Sequence, residues 1–146
     1  MCVFNNAGTI GVYHDTRIIS TFRQTVKALQ EGANVVIFPE YGEPYDHIIC
    51  RFRDRFIDVA KLYYKRTGKA VSFVPMYLAP KLKTMYLGKP VVFHPEAPME
   101  EERIRIAGEL MAAVSSIARS LPRHTVIPYK NIPRKQYPSN IAPDED

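Results

Sequence analysis

Six residues, Val35-Val36-Ile37-Phe38-Pro39-Glu40, constrain this chain more than any other stretch. The apolar run, largely β-branched, is too short for a helix and suits a buried strand of a parallel sheet. Gly32 precedes it, and Pro39 stops the ladder because proline has no N–H to donate. On that reading Glu40 sits at the carboxyl edge of the sheet, where open α/β folds bind their ligands.

The flanking sequence extends the pattern. Thr9-Ile10-Gly11-Val12-Tyr13 predicts a strand, and His14-Asp15-Thr16-Arg17 a polar crossing to a helix. Thr21 and Gln24 have the spacing of a capping box, Phe22, Val26 and Leu29 recur at helical intervals, and Gly32 suits a left-handed C-cap. Strand, helix and strand make one βαβ crossover. Tyr41 to His47 reads as a turn-rich loop. Ile49, Phe52, Phe56, Val59 or Ala60, and Tyr63 then predict a second helix, closed by Lys65-Arg66 and Gly68. Val71 to Val74 reads as another strand ended by proline, Pro75. Short strands are predicted over Thr84 to Leu87 and Val91 to Phe93, around Gly88-Lys89-Pro90.

Pro98 with Glu100, Glu101 and Glu102 makes a helix start, with acids at the positive end of the dipole. Ile104, Ala107, Leu110, Met111, Val114, Ile117 and Ala118 form its apolar stripe, and Pro122 ends it. From Ile127 the chain is rich in proline and charge, which predicts an irregular, partly disordered tail. The expected fold is α/β, a mixed, largely parallel sheet flanked by amphipathic helices over residues 1–125, with the tail at 126–146.

Composition bounds the function classes. The chain has 146 residues, 46% of them hydrophobic, enough for one domain with a real core. Its formal net charge is +5, which suits anionic partners such as phosphates, lipid surfaces or nucleic acid without choosing among them. Cys2 and Cys50 lack a C-x-x-C spacing, so neither a disulfide framework nor a zinc site follows from them. No apolar run approaches ~18 residues, the length of a membrane span.

The ordered set of a polar strand end, an amphipathic helix, Val36-Ile37-Phe38-Pro39-Glu40, a long helix, Val74-Pro75 and Gly88-Lys89-Pro90 resembles the glycerolipid acyltransferase family. Its best-known members are the 1-acylglycerol-3-phosphate acyltransferases, and the similarity runs from about Gly11 to about Ala118. The resemblance implies transfer of an acyl group from an acyl thioester, acyl-CoA or acyl-carrier protein, to a lysophospholipid hydroxyl. It implies no bound cofactor and no metal. It also implies a cytoplasmic location, peripheral at the inner face of an anionic membrane.

Family members carry an H-x-x-x-x-D block whose histidine is the general base, a second block with an arginine for the acceptor's phosphate, an F-P-E-G-[ST]-R block, and a strand ending in proline. Here the first block is absent, and His14 is followed at once by Asp15. In the third block Tyr41 replaces the glycine and the Ser/Thr-Arg pair is missing. Phe38, Pro39 and Glu40 therefore carry over as substrate-binding residues. His14 occupies the place of the second-block arginine in strict alignment, and nearby Arg17 matches its chemistry. Two accounts fit the missing block: the C-terminal portion of a longer enzyme, or a divergent protein without an acyl-transfer base.

Each candidate has a plainer alternative. Strand-end acids such as Glu40 often cap helices, and Arg17 also suits a surface ion pair. His14 is a weak candidate base with Asp15, because adjacent strand residues point to opposite faces. His47, His94 and His124 lack metal-ligand spacing. The Arg51-Arg53-Arg55 cluster, interleaved with Phe52 and Phe56, fits an apolar helix face with a solvated back. Tyr41, Tyr45, Met76 and Tyr77 suit an acyl-chain groove or ordinary packing. Two function classes follow: lysophospholipid acyl transfer, and a catalytically inactive module of the same fold that binds anionic lipid or protein. Nucleic acid is disfavoured, since the predicted helices are all committed to a core.

Overall fold

The computed structural model describes residues 8, 10–11 and 15–141, with the backbone alone for 43–45. Most of the predicted strand over residues 9–13 lies outside the described residues, as does His14. The first described helix, α1 (Ile18–Gln30), buries Val26 fully and half-buries Phe22 and Leu29. It starts three residues before Thr21, so the predicted capping box does not form. Thr21 Oγ1 instead donates to the Gly11 carbonyl at 2.6 Å, and Gln24 Nε2 to Ser20 Oγ. At the other end Gly32 adopts φ +85° while its amide and that of Ala33 donate to the Leu29 and Ala28 carbonyls. Those two bonds are the Schellman closure that the glycine predicts.

The predicted largely parallel sheet is overturned. The described strands are β1 (Glu40–Tyr45), β2 (Cys50–Phe52), β3 (Ser72–Phe73), β4 (Met76–Ala79), β5 (Thr84–Leu87) and β6 (Val91–Val92). They form three antiparallel pairs, β1 with β2, β3 with β6, and β4 with β5. A parallel neighbour needs a crossover that brings two strands side by side, and Val35 to Phe38 has no such neighbour among the described residues. That run is not a buried strand: Val36 is 60% and Phe38 78% exposed. The ladder begins only after Pro39, whose carbonyl accepts the Arg53 amide at 2.8 Å.

The predicted second helix is shorter than its apolar period implied. Residues 50–52 belong to β2, residues 55–57 form a 3-10 turn, and α2 (Asp58–Thr67) starts afterwards. Side-chain acceptors hold the preceding segment extended. Asp46 Oδ1 takes the amides of Ile48 and Ile49, and Glu40 takes that of Cys50. The period belonged to two apolar clusters bridged by Phe52 rather than to one helix. Gly68, at φ +69°, caps α2 as predicted.

Helix α3 (Met99–Ser120) spans both apolar clusters. Ile106, Ala107 and Leu110 meet Ile57, Ala60, Val91 and Phe93, while Val114 and Ala118 meet Ile48, Ile49, Tyr77 and Ala79. The predicted stripe was out of phase at its start, since Ile104 is 74% exposed and Ile106 fully buried. Glu102, one of the acids at the predicted helix start, is 2% exposed. Its carboxylate takes two hydrogen bonds from Arg105 at 2.7 Å and one from the His94 amide at 2.9 Å. Arg105 also donates to the Val92 carbonyl, tying the end of β6 to α3. Between α2 and α3, Arg103 and Asp58 form a two-pronged pair at 2.6 and 2.8 Å.

The pairs β3–β6 and β4–β5 follow one another as a ribbon on α3. Pairing steps from Phe73–Val91 to Met76–Leu87, three residues on one side against four on the other, so one residue bulges out near Gly88-Lys89-Pro90. Gly88 is packed too closely for a side chain: an added Cβ would meet Pro75 at 2.8 Å and Ile117 at 3.1 Å. Beyond α3 the chain is tied back to the end of the helix, where Asn140 Nδ2 donates to the Ala118 carbonyl at 2.7 Å. His124 accepts and donates within a buried set comprising the Tyr77 hydroxyl, the Pro122 carbonyl and Asn140, and Thr125 bridges to Ser139.

Two expectations follow. Gly88→Ala should overpack the ribbon against α3 and cost about 1–3 kcal/mol in urea denaturation, whereas Gly108→Ala, with open space around it, should not destabilise. Arg105 first, then the His94 amide, hold the Glu102 carboxyl below its ordinary value against the opposing effect of burial. A depressed folded-state pKa means the unfolded chain binds more protons, so stability should fall as pH drops below the ordinary carboxylate range. Glu102→Gln should remove that acid dependence and cost about 3 kcal/mol at neutral pH; an unchanged melting profile between pH 3 and 7 would contradict it.

Candidate functional site

The residues singled out by sequence fall into two places. Phe38, Pro39 and Glu40 lead into β1. Phe38 projects into solvent, Pro39 is half-buried, and Glu40 is half-buried with Oε2 accepting the Cys50 amide at 2.9 Å. Burial raises the Glu40 pKa, the Cys50 hydrogen bond opposes the rise, and the Asp46 charge adds to it. Asp46 is locked in the turn: burial pushes its carboxyl up, but the Ile49 amide, the Ser115 hydroxyl, the Ile48 amide and Arg119 together hold it below its ordinary value. The Ser115 bond, 2.8 Å long, fastens the β1–β2 turn to α3.

Cys50 completes this cluster but is no nucleophile. It is fully buried, and burial followed by the Glu40 and Asp46 charges pushes its thiol up, away from the thiolate form that attacks. Beside it Arg53 lies over the Tyr41 ring, 4.5 Å from the centroid. The carboxylates at this turn therefore serve the backbone, taking three amide hydrogens that the short ladder leaves over. Arg17 stands apart, just before α1, with its guanidinium joined to Asp15 at 2.7 to 3.0 Å.

A second place emerges only in three dimensions. Helices α1 and α2 pack together, leaving a groove of about 390 Å³ lined by Ile19, Phe22, Arg23, Asp58, Lys61, Leu62, Lys65 and Arg66. The helical period explains the lining. Ile19, Phe22 and Arg23 fall at i, i+3 and i+4 on α1, and Lys61 with Lys65 and Leu62 with Arg66 at i, i+4 on α2. Asp58 is spent on Arg103. No ion pair or side-chain hydrogen bond occupies Arg23, Lys61, Lys65 or Arg66 among the described residues. Four cations thus surround an apolar floor, a chemistry that takes an anion with a hydrocarbon tail.

Sequence reading put Lys65 and Arg66 at the negative end of a helix dipole and Lys61 on that helix's non-apolar side, and passed over Arg23. The signal that finds them is the i, i+4 repetition of cations beside Leu62, combined with an α1 face that carries Arg23 next to Phe22. No group of histidine, cysteine and carboxylate side chains among the described residues is placed to hold a metal ion. No described helix is long and apolar enough to cross a membrane. Comparison with protein-family models, with curated proteins and with solved structures finds no match to this chain.

The structural role of Glu40 is testable. Glu40→Ala removes the acceptor of a half-buried amide and should cost about 1–3 kcal/mol, whereas Glu40→Gln keeps a carbonyl acceptor and should cost less than half as much. Equal losses, measured by thermal denaturation at neutral pH, would show that the charge rather than the hydrogen bond matters there.

Proposed function

We propose that this chain binds an anionic, singly acylated glycerolipid in the α1–α2 groove, as the acceptor for acyl transfer from a thioester. The observation that carries the reading is the set of four cations, Arg23, Lys61, Lys65 and Arg66, around the apolar floor of Ile19, Phe22 and Leu62. A phosphate monoester is met by charge-assisted hydrogen bonds from arginine and lysine, and an acyl chain lies on the apolar side chains. The order of Phe38-Pro39-Glu40 and Val74-Pro75 supports placing this binding within acyltransferase chemistry, with acyl-CoA or an acyl-carrier protein as donor.

In that reaction the lipid hydroxyl attacks the thioester carbonyl as a base takes its proton, and the tetrahedral oxyanion collapses to an ester with departure of the thiolate. None of the residues lining the groove is a histidine, and Glu40 is engaged with a backbone amide. That observation favours a second reading, in which the chain holds the lipid without itself performing transfer.

The test separates the two. Lysophosphatidic acid with a short acyl chain, kept below its micellar concentration, should bind in calorimetry. Lys61→Glu with Lys65→Glu should weaken binding at least about tenfold, the scale of one lost charged hydrogen bond. Unaltered affinity would refute the groove as the site. Labelled acyl-CoA and acyl-carrier protein are then supplied to the bound complex. Turnover that disappears in Glu40→Gln supports catalysis, and binding without turnover supports the holding role.

A further inference from the structure

The ribbon of β3–β6 and β4–β5 has two unlike faces. Alternation turns Phe73, Tyr77, Ala79, Tyr86, Val91 and Phe93 inward. The same alternation turns Val74, Leu78, Met85, Leu87 and Val92 outward, and these are 46%, 47%, 54%, 62% and 45% exposed. Leu78 and Met85 are direct cross-strand partners, and Leu87 faces the half-buried Met76. Leu78, Met85 and Leu87 form an apolar surface on the hairpin, each about half exposed or more.

The charge carried by the ribbon itself has a single sign. From Ser72 to Phe93 the chain carries Lys81, Lys83 and Lys89 and no acidic residue. All three lysines are exposed and join no ion pair among the described residues. Lys81 and Lys83 sit at the β4–β5 turn and Lys89 at the bulge, so cations mark both ends of the hairpin. A second copy laid on this face brings lysine against lysine, and a neutral apolar partner strips the lysines of water without replacing it.

We propose that the outward face of β4–β5 docks on an anionic lipid surface. Leu78, Met85 and Leu87 enter the acyl boundary, and Lys81, Lys83 and Lys89 meet lipid phosphates. This fits the depth of about 5–10 Å reached by interfacial elements. The strands lie flat in the headgroup zone, because the outer edges of β4 and β5 still need water for their unpaired amides and carbonyls. Docking by this face requires neither the α1–α2 groove nor a bound lysolipid, and so goes beyond the lipid-binding reading above.

The chain contains no tryptophan, so Met85→Trp gives a single emission signal at an exposed site. Vesicles of phosphatidylcholine with phosphatidylglycerol should shift that emission to the blue, and brominated lipid should quench it. Vesicles of phosphatidylcholine alone should do neither. Lys81→Gln, Lys83→Gln and Lys89→Gln together should weaken binding by about fivefold per lysine, and raising the salt should weaken the unaltered face. Leu78→Ser with Leu87→Ser should abolish quenching while the circular dichroism of the fold stays unchanged.

No blue shift on anionic vesicles, or binding indifferent to both sets of substitutions, overturns the proposal. A blue shift without vesicles, accompanied by a dimer in sedimentation, also overturns it and assigns the face to a second copy. The groove variant Lys61→Glu with Lys65→Glu, carried on Met85→Trp, should keep the shift at saturating vesicles. Loss of lysolipid binding and loss of docking are thereby read separately.

Discussion

The buried carboxylate of Glu102 fixes the geometry on which the rest depends. An acid that is 2% exposed stays charged only when it is fully partnered, and Arg105 with the His94 amide supplies that partnership. Because Arg105 also holds the Val92 carbonyl, the clasp sets where α3 begins relative to β6. The register of the ribbon on the helix follows, including the close stack of Pro75, Gly88 and Ile117. Once that stack is in place, one ribbon face is committed to the core and the other is left outside.

The distribution of charge follows from the same economy of partners. Asp58, Glu102 and Glu109 are spent on Arg103 and Arg105, and Asp46 on two amides and Ser115. Acids consumed in holding elements together no longer offset cations elsewhere. The formal charge of +5 is therefore not an even film. Among the described residues, two sets of cations without an ion pair stand beside apolar side chains, one along the α1–α2 groove and one at the ends of the β4–β5 hairpin. Both places suit a partner that is anionic at one end and oily at the other.

Local signals in the sequence were read well where one element alone decides them. The glycine closures after α1 and α2, the short strands around Gly88-Lys89-Pro90 and the acid-led start of α3 depend on neighbours a few residues away. The sheet was misread because a buried apolar run and an exposed one look alike without knowledge of what lies opposite. Val35 to Phe38 carries strand propensity yet finds no neighbour among the described residues. Ile49 and Phe56 enter two different apolar clusters, with Phe52 packed against both, from three different local conformations, which imitates a helical period. Tyr77 and Ala79 alternate with Met76 and Leu78 in a strand that was legible in principle, but Met76 and Tyr77 were taken for a groove lining or packing. The groove cations were hidden because two helices supply them, and the angle between helices is not written in either one.

The open run before β1 has a consequence for the protein as a material. Val35-Val36-Ile37-Phe38 combines high strand propensity with no charge, the makeup of segments that stack into cross-β fibrils when chains meet. What bounds it is Pro39, which cannot extend a growing ladder, followed by the charge of Glu40. Pro39, just before β1, and Glu40, its first residue, thus also act as gatekeepers. One proline bounds a run in which Val36, Ile37 and Phe38 stand uncovered.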